Sequence, residues 1–445
     1  MVTLHLEELF QMRETFMKVN IVGVGAGPSN LSLASLIHPT GLSNQFIEKR
    51  SEFSWHPGLQ LPHATLQVSF LKDLVTLADP TNAFSFLAYL HETGRMYQFL
   101  NAQFDAITRQ EFTQYLHWAA AKNENVCFGE EVERIDFDGD FVVATSKRKL
   151  RAECISIAVG KVPSVPHFAE QGIGETMFHS AYYLAHSHRL AGKRIAVVGS
   201  GQSGAEVFQD LLNRNGPDAP DQITWVSRRE RYAPLDDSPF TNDLFMPCHQ
   251  DYFSSLPAPN RRAFLKENVL ASDGITESTL REIYQSLYLR RFVRDAPNTV
   301  NLLPNRAVEN VSRDGASWIL KMLHGDTRQH EMLPVDIVIW ATGYKNATFD
   351  FLGPLEDRLQ TDNDEIAVDS SFAARWNGPS SRPIFIHNAS REQKGLSDPN
   401  LSLTAWRSAK MMQRILGRPF TSEPESSSVC WGPHVALPGQ ALRTA

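Results

Sequence analysis

The stretch Val19 to Ala34, VNIVGVGAGPSNLSLA, restricts what this chain can fold into more than any other. Val19 to Val22 reads as a buried strand, Gly23, Gly25 and Gly27 form a turn, and an apolar helical face opens near Pro28. Glycine lets the backbone close on a pyrophosphate, and the following helix offers unpaired N–H groups and the positive end of its dipole. The frame Gly25-x-Gly27-x-x-Asn30 has asparagine where the dinucleotide fingerprint has a third glycine. A second strand, Gln45 to Ile47, ends in Glu48 about twenty residues on, placed to bind ribose hydroxyls. This is the first βα unit of a dinucleotide-binding fold; the plain alternative is an ordinary tight turn.

A second signature, RIAVVGSGQSGAEVFQD, spans Arg194 to Asp210 with the frame complete at Gly199, Gly201 and Gly204. Its next strand, Ile223 to Val226, ends in Ser227-Arg228-Arg229 rather than an acid. Cations there suit a 2′-phosphate, so NADP(H) is favoured over NAD(H), against the alternative of a surface arginine pair. The unequal third positions and the arginines argue for two different nucleotides rather than a duplication. Val335 to Tyr344, VDIVIWATGY, is a buried strand whose ending, including Thr342 and Gly343, closes many proteins that hold a flavin and a pyridine nucleotide.

A chain of 445 residues is long for one core, so two or three interlocked domains are expected. The net charge of −7 gives no reason to expect nucleic acid or an anionic membrane as partner. Cys127, Cys154, Cys248 and Cys430 lie far apart with no C-x-x-C pair, which argues against zinc and redox disulfides and suits a reducing cytoplasm. No apolar run approaches the roughly 18 residues of a membrane span, and residues 1–16 lack the features of a signal peptide.

Between the signatures, Ser51 to Leu90 is rich in Pro, His and aromatics and has little periodicity before Phe84, as functional irregular segments do. Taken singly, Trp55, His56 and His63 read as packing residues, and Lys72 with Asp73 as a solvated charge pair. Helices are expected over Phe84 to Leu100, Arg109 to Lys122 and Leu401 to Leu416, the last with Trp406, Ala409, Met412 and Ile415 on a core stripe. Leu302 to Leu333 alternates like a hairpin, and the Ser/Pro-rich residues after Pro419 read as disordered or an irregular arm.

In combination GVGAGPSNLSLA, FSWHPGLQLPHATLQVSFLKDLV, VVGSGQSGAE, WVSRR, ATGY and LSDPNLSLTAWRSAK resemble the flavin-dependent N-hydroxylating monooxygenases of siderophore biosynthesis, from Met17 to Gly417. The resemblance implies an α/β architecture with two dinucleotide-binding Rossmann-like domains, for FAD and NADPH, and a smaller, mainly helical substrate region. The expected division is an extension 1–16, a discontinuous FAD domain 17–165 and 335–418, an NADPH domain 166–334 with a helical cover 231–295, and a flexible tail 419–445. It implies flavin contacts from Gly25, Gly27, Pro28, Asn30, Glu48, Trp55, His56 and Gln67, with Thr342, Gly343 and Ser402 also at the cofactors. The NADPH loop is Gly199, Gly201, Gln202, Ser203 and Gly204, with Arg228 and Arg229 at the phosphate. Lys72, Asn242, Leu401 and Ser402 would hold substrate, and Lys72, Gln67 and Asn242 would act at the reacting centre. A homotetramer and a small primary amine are the implied partners, with O2 as co-substrate and no metal.

The implied reaction runs from NADPH to FAD to O2, with a C4a-hydroperoxyflavin passing one oxygen to a neutral primary amine. An apolar pocket roofed by Phe70, Leu71 and Leu401 would keep the amine neutral. The residues from Ser69 to Asn101 look more like the putrescine and cadaverine enzymes, so an aliphatic diamine is the expected substrate, with L-lysine as alternative. Three other readings compete. In a Baeyer–Villiger or sulfur-oxidising enzyme, Phe178-His179-Ser180 with Tyr182 would be the linker fingerprint; a flavin disulfide reductase lacks its cysteine pair; and a catalytically silent FAD/NADPH sensor would take up no oxygen.

Overall fold

Strand β1 (Met17–Val24) is buried from Ile21 onward, as a central parallel strand covered on both faces must be. The computed structural model describes residues 16–294, 299–421 and 427–433. β1 is flanked by β2 (Asn44–Glu48) and β3 (Val126–Phe128) on one side. On the other lie β6 (Lys149–Ile157) and, beyond it, β5 (Phe141–Thr145) and β4 (Val132–Phe137), giving the order β3-β2-β1-β6-β5-β4. The first four run parallel, while β5 and β4 return antiparallel. Helices Pro28–Ile37 and Thr404–Leu416 cover one face; the stripe Trp406, Ala409 and Met412 is buried there and Ile415 packs beside it.

The chain leaves this sheet through β7 (Lys161–Pro163) and builds a second one from β8 (Met177–His179), β9 (Arg194–Val198), β10 (Gln222–Val226) and β11 (Thr299–Leu303). A three-stranded antiparallel sheet follows, β12 (Arg306–Asp314), β13 (Ser317–His324) and β14 (His330–Val335), one strand more than the expected hairpin. β15 (Ile337–Trp340) then enters the second sheet between β9 and β8, giving the parallel order β11-β10-β9-β15-β8. This corrects the expected boundary at residue 335, since the run before Ala-Thr-Gly-Tyr completes the second sheet. The chain returns through β16 (Tyr344–Asn346), which pairs antiparallel with β7 and makes a two-stranded link between the sheets. After the small hairpin of β17 (Thr361–Asp362) and β18 (Glu365–Ile366), β19 (Ile384–Ile386) joins the first sheet beside β6.

Two further expectations are revised. The single helix expected over Phe84 to Leu100 is two, Phe86–Glu92 and Met96–Ala102, broken at Gly94, whose φ of +68° ends the first. In the tail, Trp431 packs edge-on to His249 at 4.5 Å and the Ser427 hydroxyl reaches Asp243 at 3.1 Å, so 427–433 is an ordered arm across the helical cover. Residues 1–15 and most of the tail lie outside the described residues. Among the described residues no helix is long and apolar enough to cross a membrane, and no cluster of three metal-ligating side chains occurs.

Candidate active site

Both glycine turns lie at the carboxyl ends of central strands, and their geometry fits a bound dinucleotide. Gly25 has φ +85°, and a Cβ there would stand 2.6 Å from the Ala158 carbonyl oxygen. Gly27 opens helix Pro28–Ile37, and a Cβ at Gly27 would meet nothing within 4 Å, an open face over unpaired helix N–H groups. Glu48 accepts from the backbone N–H groups of Ala26 and Arg50, which fixes its carboxylate at the rim of the turn. The second turn repeats this: Gly199 has φ +130° and a Cβ there would lie 2.1 Å from the Ala341 oxygen, while the nearest atom to one on Gly201 is 3.9 Å away.

The unequal third positions have a packing reason. A Cβ on Gly204 would lie 2.3 Å from the Gly199 oxygen, so helix and strand touch there and only glycine fits. In the first unit the gap is wider and Asn30 fills it, fully buried. Its amide donates to the carbonyls of Val24, Gly25 and Ser156, and its oxygen accepts from the Ser156 hydroxyl at 2.6 Å. Asn30 thus braces the flavin turn from behind, whereas the resemblance implied a flavin contact.

The arginine pair divides its work. The Arg229 guanidinium donates to the carbonyls of Ser200 and Asp273 at 3.3 and 3.0 Å, tying the NADPH turn to the helical cover. Arg228 is exposed beside the end of β10, available to a phosphate. Arg228→Ala should therefore raise the KM for NADPH by roughly 10- to 100-fold and leave that for NADH unchanged. Arg229→Ala should weaken both cofactors alike, because it loosens the turn. Steady-state kinetics with each nucleotide checks the split, and equal losses in Arg228→Ala would remove the 2′-phosphate assignment.

A cavity of about 210 Å³ opens between the two dinucleotide units. Its walls are Trp55, His56, Leu59, Thr65, Leu66, Gln67, Val68 and Arg109 from the first unit, Ser203 from the NADPH helix, Tyr344 from the link, and Pro399, Asn400 and Leu401. The irregular segment is thus the floor between the cofactor turns, which backbone periodicity could not reveal. His56 adopts φ +47°, stands edge-on to Trp55 and Tyr344, and lines the cavity as an exposed residue. Enclosure by protein on its other sides, then the cations of Arg109 and Arg50, push its pKa down to about 4, so the imidazole is neutral at physiological pH. Gln67 makes two long contacts of 3.4 Å, to Gln202 and to the Gly274 carbonyl, across the unit boundary.

Lys72 donates to the Ser402 hydroxyl at 3.2 Å, next to cavity residue Leu401, and burial lowers its pKa from the ordinary lysine value. Asp73 is no solvated partner for it: the carboxylate is buried and accepts four hydrogen bonds within its own segment. Asn242 is exposed, bonds the Asp237 carbonyl, and is not among the cavity walls. Of the expected apolar roof only Leu401 lines the cavity; Phe70 packs against Phe86 and Phe99, and Leu71 is exposed. His179 is buried, donates from Nε2 to the Gly343 carbonyl at 2.9 Å and accepts from the Ala181 N–H at Nδ1, and Thr342 donates to the Ser164 carbonyl, so the Phe178-His179 stretch serves the link rather than a substrate. Cys127, Cys154, Cys248 and Cys430 are free.

Sequence reasoning missed Arg109 and Glu206. Arg109 opens helix Arg109–Lys122, where a cation opposes the helix dipole, and that mismatch was the available signal. Its guanidinium makes a two-pronged pair with fully buried Glu206 at 2.7 and 2.9 Å.

Residues 17–346 match the family model for L-lysine 6-monooxygenase/L-ornithine 5-monooxygenase. The chain is 39% identical to the L-lysine N6-monooxygenase of Escherichia coli over 405 residues, 90% of this chain and 95% of the relative. It is 32% identical to a putrescine N-hydroxylase of Acinetobacter baumannii over 410 residues, 90% of each chain. Among solved structures, the FAD-bound cadaverine monooxygenase of desferrioxamine biosynthesis from Erwinia amylovora superposes with a TM-score of 0.88 at 28% identity, over 95% of this chain and all of the other. An ornithine N-hydroxylase of Kutzneria sp. 744, with reduced FAD, NADP⁺ and L-ornithine, superposes at 0.83 and 31% identity, over 90% and 99%. With two nucleotide turns of the required shape, a shared cavity between them and this extent of likeness, the chain belongs to the L-lysine 6-monooxygenase/L-ornithine 5-monooxygenase family of FAD- and NADPH-dependent N-hydroxylating enzymes.

Proposed function

We propose that this enzyme hydroxylates the side-chain amine of L-lysine, giving N6-hydroxylysine for hydroxamate siderophore synthesis. The observation that carries the reading is Lys72, a partly buried ammonium held at Ser402 beside the cavity, which suits a substrate carboxylate. A diamine, the expected substrate, would bring a second cation to that place. The 39% identity to a lysine enzyme against 32% to a putrescine enzyme weighs the same way. The fold likeness to a cadaverine monooxygenase keeps the diamine as the second reading.

A flavin at the Gly25–Gly27 turn, reduced by NADPH held at the Gly199–Gly204 turn, would supply with O2 the oxygen atom that the amine receives, the other oxygen leaving as water. The chain's own residues must present that amine unprotonated, which at pH 7.5 costs about 4 kcal/mol for a free lysine side chain. Among the described residues no carboxylate lines the cavity, His56 is neutral, and Arg109 is a cation, so none of these side chains favours an ammonium. Leu401, Leu59 and Leu66 add apolar surface that excludes water.

The test is NADPH-dependent hydroxylamine formation across L-lysine, L-ornithine, cadaverine and putrescine, in wild type and Lys72→Met. L-lysine should be preferred, and the variant should raise its KM by roughly 10- to 100-fold while sparing or improving the diamines. Preference for a diamine in the wild type overturns the lysine reading and leaves the N-hydroxylation in place.

A further inference from the structure

We propose that the Arg109–Glu206 ion pair is a positioning device that holds the NADPH helix at the orientation from which hydride reaches the flavin. Glu206 sits one turn into helix Gln202–Asn213, whose first residues, Gln202 and Ser203, belong to the nucleotide turn. Arg109 belongs to the flavin unit, lines the cavity, and also donates to the Leu59 carbonyl at 2.6 Å. Covalently the two units are joined through the crossings that carry β7 and β16, two strands of three residues each. The ion pair stands beside the cavity that Tyr344, the first residue of β16, also lines, and it ties the units side chain to side chain where the link joins them strand to strand.

The surroundings are built for this role. Leu59, Leu61 and Ala64 of the flavin-side segment pack into the core of the NADPH unit with Phe178, Tyr183 and Phe208. A Cβ on Gly58 would lie 1.9 Å from the Ala181 oxygen, so the two backbones touch there. Glu206 also accepts from the Gln202 amide at 3.1 Å, its carbonyl meets His63 Nε2 at the same distance, and Gln202 accepts from the Thr276 N–H at 2.9 Å. Flavin unit and nucleotide turn therefore meet at one carboxylate, and the helical cover is tied to it through Gln202. Apolar contacts fix proximity but tolerate sliding, whereas a two-pronged Arg–carboxylate pair fixes direction. Hydride transfer depends on direction to within a fraction of an ångström.

The inference rests on the FAD and NADPH sites and not on which amine is hydroxylated. FAD-loaded Glu206→Gln and Arg109→Lys should each be reduced by NADPH at least about tenfold more slowly under anaerobic conditions without amine. The apparent Kd for NADPH, the FAD content and reduction by dithionite should hold, because Glu206→Gln keeps an acceptor oxygen for the Gln202 amide and Arg109→Lys alters neither glycine turn. Hydrogen exchange should quicken in 57–64, 161–163 and 344–346 and remain unchanged in β1 and β9. Reduction within about twofold of wild type in both variants overturns the proposal. So does slowing that tracks flavin loss or a general rise in exchange, which would make the pair an ordinary stabilising contact. Arg109→Lys keeps the charge and loses only the second prong, so it decides the matter if Glu206→Gln does not fold. Because no amine is present, a failure here is distinct from a failure of the lysine assignment.

Discussion

Gly25→Ala should purify colourless, without flavin, and Gly199→Ala should purify yellow but remain oxidised when NADPH is added without oxygen. In each case the new Cβ meets a backbone oxygen of the neighbouring strand end, at 2.6 Å from Ala158 and 2.1 Å from Ala341, and neither oxygen can rotate away. Each residue also has positive φ, +85° and +130°, which a side chain resists. Together these impose about 2–5 kcal/mol of strain on the nucleotide-binding shape of the turn. Relieved by opening the turn, that corresponds to a roughly 30- to 3,000-fold loss of affinity. Absorbance at flavin wavelengths and anaerobic titration with NADPH read the two effects separately. Flavin retained in Gly25→Ala would move FAD away from the first turn. The pair matters because it assigns the nucleotides to their turns, which the incomplete frame ending in Asn30 leaves open at the level of residues.

Asp73→Ala should lower the temperature of flavin release more than any other substitution outside the cofactor turns. One Asp73 oxygen accepts from the N–H groups of Val75 and Thr76 at 2.9 and 2.7 Å; the other accepts from the Thr76 hydroxyl and the Phe86 N–H, both at 2.7 Å. Desolvation opposes the ionised form and raises the pKa, and these four bonds work against that rise. Removing the carboxylate strands the three backbone donors in a buried segment, at a cost of about 3–5 kcal/mol. In thermal terms that is roughly 6–20 °C. Asp73→Asn keeps an acceptor for one side only and should fall between. Flavin fluorescence on heating checks the order Asp, Asn, Ala; an unchanged Asp73→Ala would show that the segment is held by its apolar contacts alone. Lys72 precedes this residue, so the loss should also weaken substrate binding in the protein that remains folded.

The periodicity and glycine spacing by themselves determined the two βα units, the identity of their central strands, and the cationic end of the second, because those properties are local. A strand, a tight turn and a helix opening are written within about 20 contiguous residues, and the physics that shapes them acts over that span. They also marked 51–90 as irregular and therefore as a place to look. The resemblance supplied the family, and with it FAD, and it favoured a diamine where the proposed substrate is lysine.

Tertiary structure decided what depends on residues distant in the chain. It placed β15 in the second sheet, because a buried apolar strand carries no label for the sheet it joins. It turned Phe70 into an aromatic cluster and left Leu401 on the cavity, since both are equally apolar and only the packing of 86–99 distinguishes them. It made Asn30 a brace, Asp73 a hub of its own segment and Asn242 an exposed residue, roles set by which carbonyls and N–H groups come within reach. Above all it joined Arg109 to Glu206 across 97 positions. A buried carboxylate and a cation at a helix opening each oppose a local rule, and only their meeting in space satisfies both.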